Sequence, residues 1–166
     1  MAVNNQEYKG IDKFNKYPFE WIYGQSVVID SDNNETYLMG STVSDYDIIT
    51  NPCRTTNLLD NKGNVIYGGD IVVKIHDNGK HPLHPIIMND NPCAGVVVYN
   101  GHQFTALDAY TFDTDYDSMD DVLFYVPEKI RKVGNIFENP EKWDAILKKS
   151  KNADLYREFL SKAKFY

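Results

Sequence analysis

Two β-rich runs, Ala94–Tyr99 and His102–Leu107, meet at Asn100-Gly101, and no other stretch narrows the possible folds so far. Asn-Gly between two such runs specifies a type I′ hairpin, because both central residues need a positive φ. Gly101 is therefore read as a turn residue. The same signature, weaker, recurs along the chain as short apolar or β-branched segments punctuated by turn chemistry, which argues for a mostly β body. Ser26–Asp30 and Glu35–Met39 flank a polar loop, and Tyr46–Thr50 reads as a short strand ended by Asn51-Pro52. Asn57–Leu59 and Asn64–Tyr67 flank Asp60-Asn-Lys-Gly63, which suits a type I turn closed by a left-handed Gly63. Ile71–Ile75 follows Gly68-Gly69-Asp70, where glycine permits a sharp bend. A long loop is expected from His76 to Pro92. Asp121–Val126 and Lys132–Phe137 are the last strand candidates.

The tail differs in kind. Asn139-Pro140-Glu141 has the composition of a helix start: Asn can cap, Pro fits the first helical position, and Glu suits the positive end. Trp143, Ile146 and Leu147 then fall at helical spacing, and Leu155, Tyr156, Phe159 and Leu160 form a second stripe over Ala153–Lys162, with Ser150-Lys-Asn152 between. The expected fold is a small β barrel or rolled sheet over residues 1–137, followed by one or two amphipathic helices over 138–166. A tail that does not pack on its own barrel would pack on another copy, so a homo-oligomer is expected.

Charge separates the same two regions. The net charge is −7, yet residues 1–127 hold 7 basic and 18 acidic residues, a balance of −11, whereas residues 128–166 hold 10 and 6, a balance of +4. An acidic body disfavours sequence-independent nucleic-acid binding, whose affinity comes from neutralising phosphates. The sharpest acidic strip, Asp113, Asp115, Asp117, Asp120 and Asp121, and the tail lysines Lys148, Lys149 and Lys151 are the candidate interaction residues. Either set is more often a solvated face than a docking surface. The first eight residues lack a basic n-region and an apolar h-region, and no apolar run approaches about eighteen residues. A soluble, cytoplasmic protein is expected, with Cys53 and Cys93 as half-buried thiols.

Catalytic and metal chemistry leave little trace. His81 and His84 form one His-x-x-His near His76, with two isolated cysteines, which falls short of two close-spaced zinc pairs. Asp113-x-Asp115-x-Asp117 starts like a calcium loop, but Ser118 stands where Gly is needed and Phe124 where Glu is needed. Asp30-x-Asp32-x-Asn34 fails likewise, with Glu35 and Ser41 at those places. No carboxylate pair is singled out by spacing, and no nucleophile elbow or phosphate-binding glycine loop is present. No cofactor and no catalytic residue are expected. Tyr17, Phe19, Trp21 and Tyr23 alternate, which places them on one face of an extended segment. The plain expectation is a strand facing the core; the sharper one is a stacking or docking platform.

Two separated stretches carry a resemblance. Thr56-Asn-Leu-Leu-Asp60-Asn-Lys-Gly63-Asn-Val-Ile66-Tyr67-Gly-Gly69-Asp70-Ile71-Val72 resembles the signature of the YopX family of phage and prophage proteins, Thr-Gly-Leu-x-Asp-x-x-Gly-x-x-Ile-Tyr-Glu-Gly-Asp-Ile-Val. Val133-Gly-Asn-Ile-Phe-Glu-Asn139-Pro140-Glu141 is similar to that family's closing Gly-Asn-Ile-Tyr-Glu-Asn-Pro-Glu element. Trp21-Ile-Tyr-Gly24 before a Val-rich strand also fits, so the likeness spans residues 21–142. Asn57 replaces the usual Gly, Gly68 the usual Glu, and the N-terminal Lys-Phe-Arg-Ala-Trp-Asp segment is missing or degenerate near Asp12-Lys13-Phe14. The resemblance implies an SH3-like barrel working in a bacterial host's cytoplasm, and it brings no catalytic residue. Gly63, Gly69, Asp70, Asn139 and Pro140 read as residues for shape, with Asp70 capping a turn.

The function expected from all this is non-catalytic: an accessory protein that binds a host or phage macromolecule, most simply a protein. The alternatives are a small-ligand binder that sequesters a nucleotide signal on its aromatic residues, and a nucleic-acid binder working through Lys142, Lys148, Lys149, Lys151, Arg157, Lys162 and Lys164. An enzyme ranks last.

Overall fold

The structure is a computed structural model that describes residues 7–14, 21–41, 45–74, 94–107, 109 and 130–166. The chain divides into two compact units. The first comprises residues 1–55 with Phe165 and Tyr166, and the second comprises Thr56–Lys164.

The first unit is built from β1 (Tyr8–Asp12), β2 (Trp21–Gly24), β3 (Ser26–Asp30), β4 (Glu35–Met39) and the larger part of β5 (Tyr46–Leu59). These strands pair antiparallel in the order β2-β1-β5-β4-β3. Ile22, Leu38 and Ile49 form the core, with Tyr8 and Val27 packed against it. Two glycines are fixed by close approach. A Cβ at Gly10 would lie 2.3 Å from Ile49, and one at Gly24 would lie 2.7 Å from Leu38. Gly24 thus lets the chain pass over β4, where Gln25 N donates to the Met39 carbonyl (2.9 Å). The last residues of the chain return to this unit, with Arg54 N donating to the Phe165 carbonyl (2.8 Å).

Asn51-Pro52 does not end the strand, contrary to the sequence reading. β5 continues for 14 residues because the pair forms a bulge: Lys9 faces Cys53, but Ile11 faces Thr50, so one extra residue is absorbed on β5. Asn51 takes a φ of 50°, a conformation that Asn tolerates better than other side chains do. β1 itself escaped the sequence reading. Its two buried residues are Lys9 and Gly10, which belong to no apolar pattern.

The second unit contains the end of β5 with β6 (Val65–Tyr67), then β7 (Asp70–Lys74), β8 (Ala94–Tyr99), β9 (Phe104–Ala106) and β10 (Ile130–Asn135). The last four pair antiparallel in the order β10-β7-β8-β9. Ile66, Val72, Val97, Phe104, Ala106 and Ile130 form its core, with Leu58 and Tyr99 alongside. Two helices complete it, α1 (Pro140–Leu147) and α2 (Ala153–Lys162).

The expected mostly β architecture with C-terminal helices is present, while a closed barrel is not found among the described residues. The described residues form two antiparallel sheets, and no ladder closes either one. In the first unit the two ends of the path, β2 and β3, are consecutive in the chain with only Gln25 between them. A covalent link stands where a barrel would need a ladder.

The Asn100-Gly101 hairpin forms, but with a four-residue loop, because Tyr99 pairs with Phe104. Gly101 has a φ of 94°, while Asn100 is not left-handed, so the turn is not type I′. The Asn100 side chain organises the loop instead, accepting from the His102 and Gln103 amides at 3.1 and 3.0 Å.

The helices are held to the sheet by Tyr156. Its buried hydroxyl donates to the Leu107 carbonyl (2.6 Å) and accepts from the Val96 amide (3.1 Å). A Cβ at Gly95 would sit 2.4 Å from that same Leu107 oxygen, so only glycine permits this approach. Trp143 packs against the Tyr156 ring with centroids 4.9 Å apart, and Leu147 is buried. Leu155 departs from the expected stripe and is 54% exposed.

Candidate functional site

The two stretches that carry the family resemblance come together in the second unit as the β7–β10 ladder and a buried polar cluster. Asp70, fully buried, is its centre. Its Oδ2 accepts from the Tyr67 amide (2.8 Å) and pairs with Lys132 Nζ (2.9 Å), and its Oδ1 accepts from Asn135 Nδ2 (3.0 Å). Asn135 is also buried and accepts the Phe137 amide at 2.9 Å. Gly69 takes a φ of 83° so that its amide reaches the Val97 carbonyl and its carbonyl accepts from Ile136. A carboxylate satisfied this completely by its own fold is positioned for shape.

Asp60 plays the matching role in the preceding turn. It accepts the amides of Lys62 (2.9 Å), Asn64 (2.8 Å) and Lys132 (3.1 Å), and the Asn64 side chain (3.2 Å). Burial pushes its pKa up, and the hydrogen bonds from Asn64, Lys132 and Lys62 outweigh that and hold it below 3.8. Gly63, with a φ of 81°, closes the turn by donating to the Asp60 carbonyl (3.0 Å). Asn57 has a φ of 62°, so its departure from the family's Gly retains a left-handed backbone.

Asn139 stands at the N-cap of α1 with Pro140 at the first helical turn, but its side chain makes no cap hydrogen bond. Its Oδ1 is directed instead to the Asn135 amide (3.3 Å) and lies 2.8 Å from where a Gly134 Cβ would be. The cap is exchanged for a tie between strand and helix.

The tail cations divide into two groups. Arg157 pairs with Asp154 (3.3 Å), Lys162 with Glu158 (2.9 Å), and Lys142 donates to the Val133 carbonyl (2.9 Å). Lys148, Lys149 and Lys151 are exposed and make no ion pair among the described residues. They lie on the link between α1 and α2, which is fixed by Ser150: its hydroxyl donates to the Ala109 carbonyl and accepts from the Asn152 amide. The three lysines thus stand on an anchored turn.

Of the aromatic row, Trp21 and Tyr23 share one face of β2 as expected, but it is not the face that packs into the core. In β2, Ile22 and Gly24 are buried, while Trp21 and Tyr23 lie half-buried on the other face. Lys9, itself buried, places its ammonium 4.1 Å from the Trp21 ring centroid. In the β3–β4 loop, Asp30 accepts the Asp32 amide and Asn33 the Glu35 amide, so these side chains serve the turn. Glu35 has its pKa lowered by the hydrogen bond from Lys13, then by that from Tyr37.

Tyr17, Phe19, His76, His81, His84, Cys93, Asp113, Asp115, Asp117 and the strand expected at 121–126 lie outside the described residues. Cys53 is buried, with its thiol 3.4 Å from the Asn51 carbonyl. Among the described residues no group of three His, Cys, Asp or Glu side chains could hold a metal ion, and no helix is long and apolar enough to cross a membrane.

No family model matches this chain, and no curated protein matches it. Among solved structures it is similar to protein EF1440 from Enterococcus faecalis, with 19% sequence identity, 82% of this chain and 96% of that chain covered, and a TM-score of 0.47.

Proposed function

We propose that this chain is a non-catalytic accessory protein of the phage or prophage kind, working in a host bacterium's cytoplasm by binding an acidic surface on another protein. The observation that carries the reading is the set of three exposed lysines, Lys148, Lys149 and Lys151, which make no ion pair among the described residues and stand on an anchored link, while Arg157 and Lys162 are paired within their own helix. Charges carried on an anchored backbone attract and orient a complementary surface without the cost of ordering the link itself. What supports the family assignment is that its two motifs meet around Asp70 and that Asn57 takes the left-handed backbone its usual Gly would take. What supports an SH3-like, rolled first unit is the succession of β2 and β3 at the two ends of one ladder path.

The same lysines favour nucleic acid as the second reading. Three cations release few counterions compared with the roughly 6–10 phosphate contacts of a salt-sensitive DNA binder, so protein ranks first. Nuclease-treated bacterial lysate passed over the immobilised chain decides between them. A protein retained by the wild type, released by salt and lost with the triple variant Lys148→Glu, Lys149→Glu, Lys151→Glu supports the proposal. Retention that the variant leaves intact refutes it, and material lost on nuclease treatment transfers the lysines to nucleic acid.

A further inference from the structure

The four strands that end the two main ladder paths are not alike. β10 carries Arg131 and Lys132, and its register with β7 shifts between Lys132 and Gly134, a bulge that spoils further pairing. β9 is only three residues long. β2 ends in Gly24 against Leu38 and the Met39 carbonyl of β4. β3 has none of these devices. It pairs with β4 in unbroken register from Ser26↔Met39 to Asp30↔Glu35, contains no proline, glycine or lysine, and has no ladder on its other side among the described residues. Val28 is 50% exposed on one face of it and Ile29 54% exposed on the other. An exposed, regular, apolar edge of this kind is a template for another strand.

The strand is also complementary to itself. A two-fold axis through Val28, with the strands antiparallel, sets Val28 opposite Val28, Val27 opposite Ile29, and the Ser26 hydroxyl opposite the Asp30 carboxylate. No like charges face each other, and the acidic loop residues Asp32 and Glu35 of the two hairpins point to opposite ends. We propose that a second copy of this chain covers the open edge of β3, pairing antiparallel about a two-fold axis at Val28, so that two first-unit sheets become one continuous sheet. This places self-association on the first unit, independently of the lysine link. It also replaces the helical tail as the route to an oligomer, since Trp143, Leu147 and Tyr156 are already buried within the second unit.

Analytical ultracentrifugation of the full chain over a range of concentrations tests this directly. The wild type should sediment with a mass of twice 19.1 kDa. Val28→Lys sets two ammonium groups opposite each other and should weaken association about tenfold or more. Leu155→Lys, an equally exposed apolar site on α2, should leave it unchanged. Oxidation of Val28→Cys should give a disulfide-linked dimer, above the background of the wild-type cysteines, whereas Val27→Cys should not, because Val27 faces Ile29. That measurement needs no disruptive substitution, so it holds even where Val28→Lys fails to fold. A wild type that stays monomeric throughout overturns the proposal and leaves the edge to a strand from some other protein. A dimer unaffected by Val28→Lys, or one that Val28→Cys does not cross-link, overturns it as well.

Discussion

Among the described residues the first unit has a much smaller buried interior than the second, although both leave some apolar side chains exposed. Among the described residues the first unit buries four hydrophobic residues, Ile22, Leu38, Ile49 and Cys53, and the second buries fifteen. Each fully buried aliphatic side chain contributes about 1.5–3 kcal/mol, so the second unit has the larger hydrophobic reserve. The polar groups differ in the same direction. In the second unit Asp60, Asp70, Asn135 and the Tyr156 hydroxyl are buried and paired by the fold. In the first, Lys13–Glu35 and Arg54–Glu7 lie at the surface, where ion pairs contribute little. The unit to which the strand-pairing proposal assigns an open edge is also the one with the smaller buried interior. The unit with the satisfied network carries the three exposed lysines, beside the exposed Leu59, Val65 and Leu155.

The comparison is broken most severely at Asp70. Asp70→Ala leaves Lys132 and the Asn135 amide without their partner in a buried setting, and should cost about 3–5 kcal/mol in chemical denaturation of the chain. A loss below 1 kcal/mol would show that the cluster is not holding β7 to β10. Tyr156→Phe removes one hydroxyl and strands both the Leu107 carbonyl and the Val96 amide, with an expected loss of about 1–3 kcal/mol. If the helices serve the sheet as their contacts indicate, hydrogen exchange at Val96 should accelerate together with the fall in stability.

Asp60 gives a smaller, pH-dependent effect. Its folded pKa lies below the ordinary 3.8, so the carboxylate contributes stability that is fully present above 3.8 and is lost as pH falls through the folded value. Urea midpoints measured from pH 5 downward should therefore fall more steeply for the wild type than for Asp60→Asn. Parallel slopes would remove Asp60 from the account. The smallest effect belongs to the first unit: Lys13→Ala should leave the denaturation midpoint where it was, since both partners of its ion pair are accessible to water. A clear destabilisation there would mean that the two units are less different than their interiors suggest.

Much of the second unit was legible in the chain because its signals are local. Asn139-Pro140-Glu141, the spacing of Trp143 and Leu147, the Asp60–Gly63 turn and the valine run of β8 each act within a few residues, and each element formed where that chemistry stands. β1 was illegible for the opposite reason. Lys9 and Gly10 are buried by their neighbours, Lys9 by the ring of Trp21 and Gly10 by Ile49, and neither residue announces a strand by itself. The lysine link was visible as charge, but not which lysines lack an ion pair among the described residues. That depends on where Asp154, Glu158 and Val133 fall in space.

The sequence alone determined the class of element at most positions, the acidic body and basic tail, and the turn residues whose backbone needs a glycine or an asparagine. These follow from steric limits and hydrogen bonds acting over a few residues. Only the tertiary structure decided that Asn51-Pro52 bends a strand instead of ending it, that the Asn139 side chain ties down β10 instead of capping α1, and that Val28 and Ile29 lie on a strand with no second ladder among the described residues. Each of those outcomes depends on which distant segment arrives alongside. A chain settles that by burying its whole apolar surface at once, and no window of residues contains it.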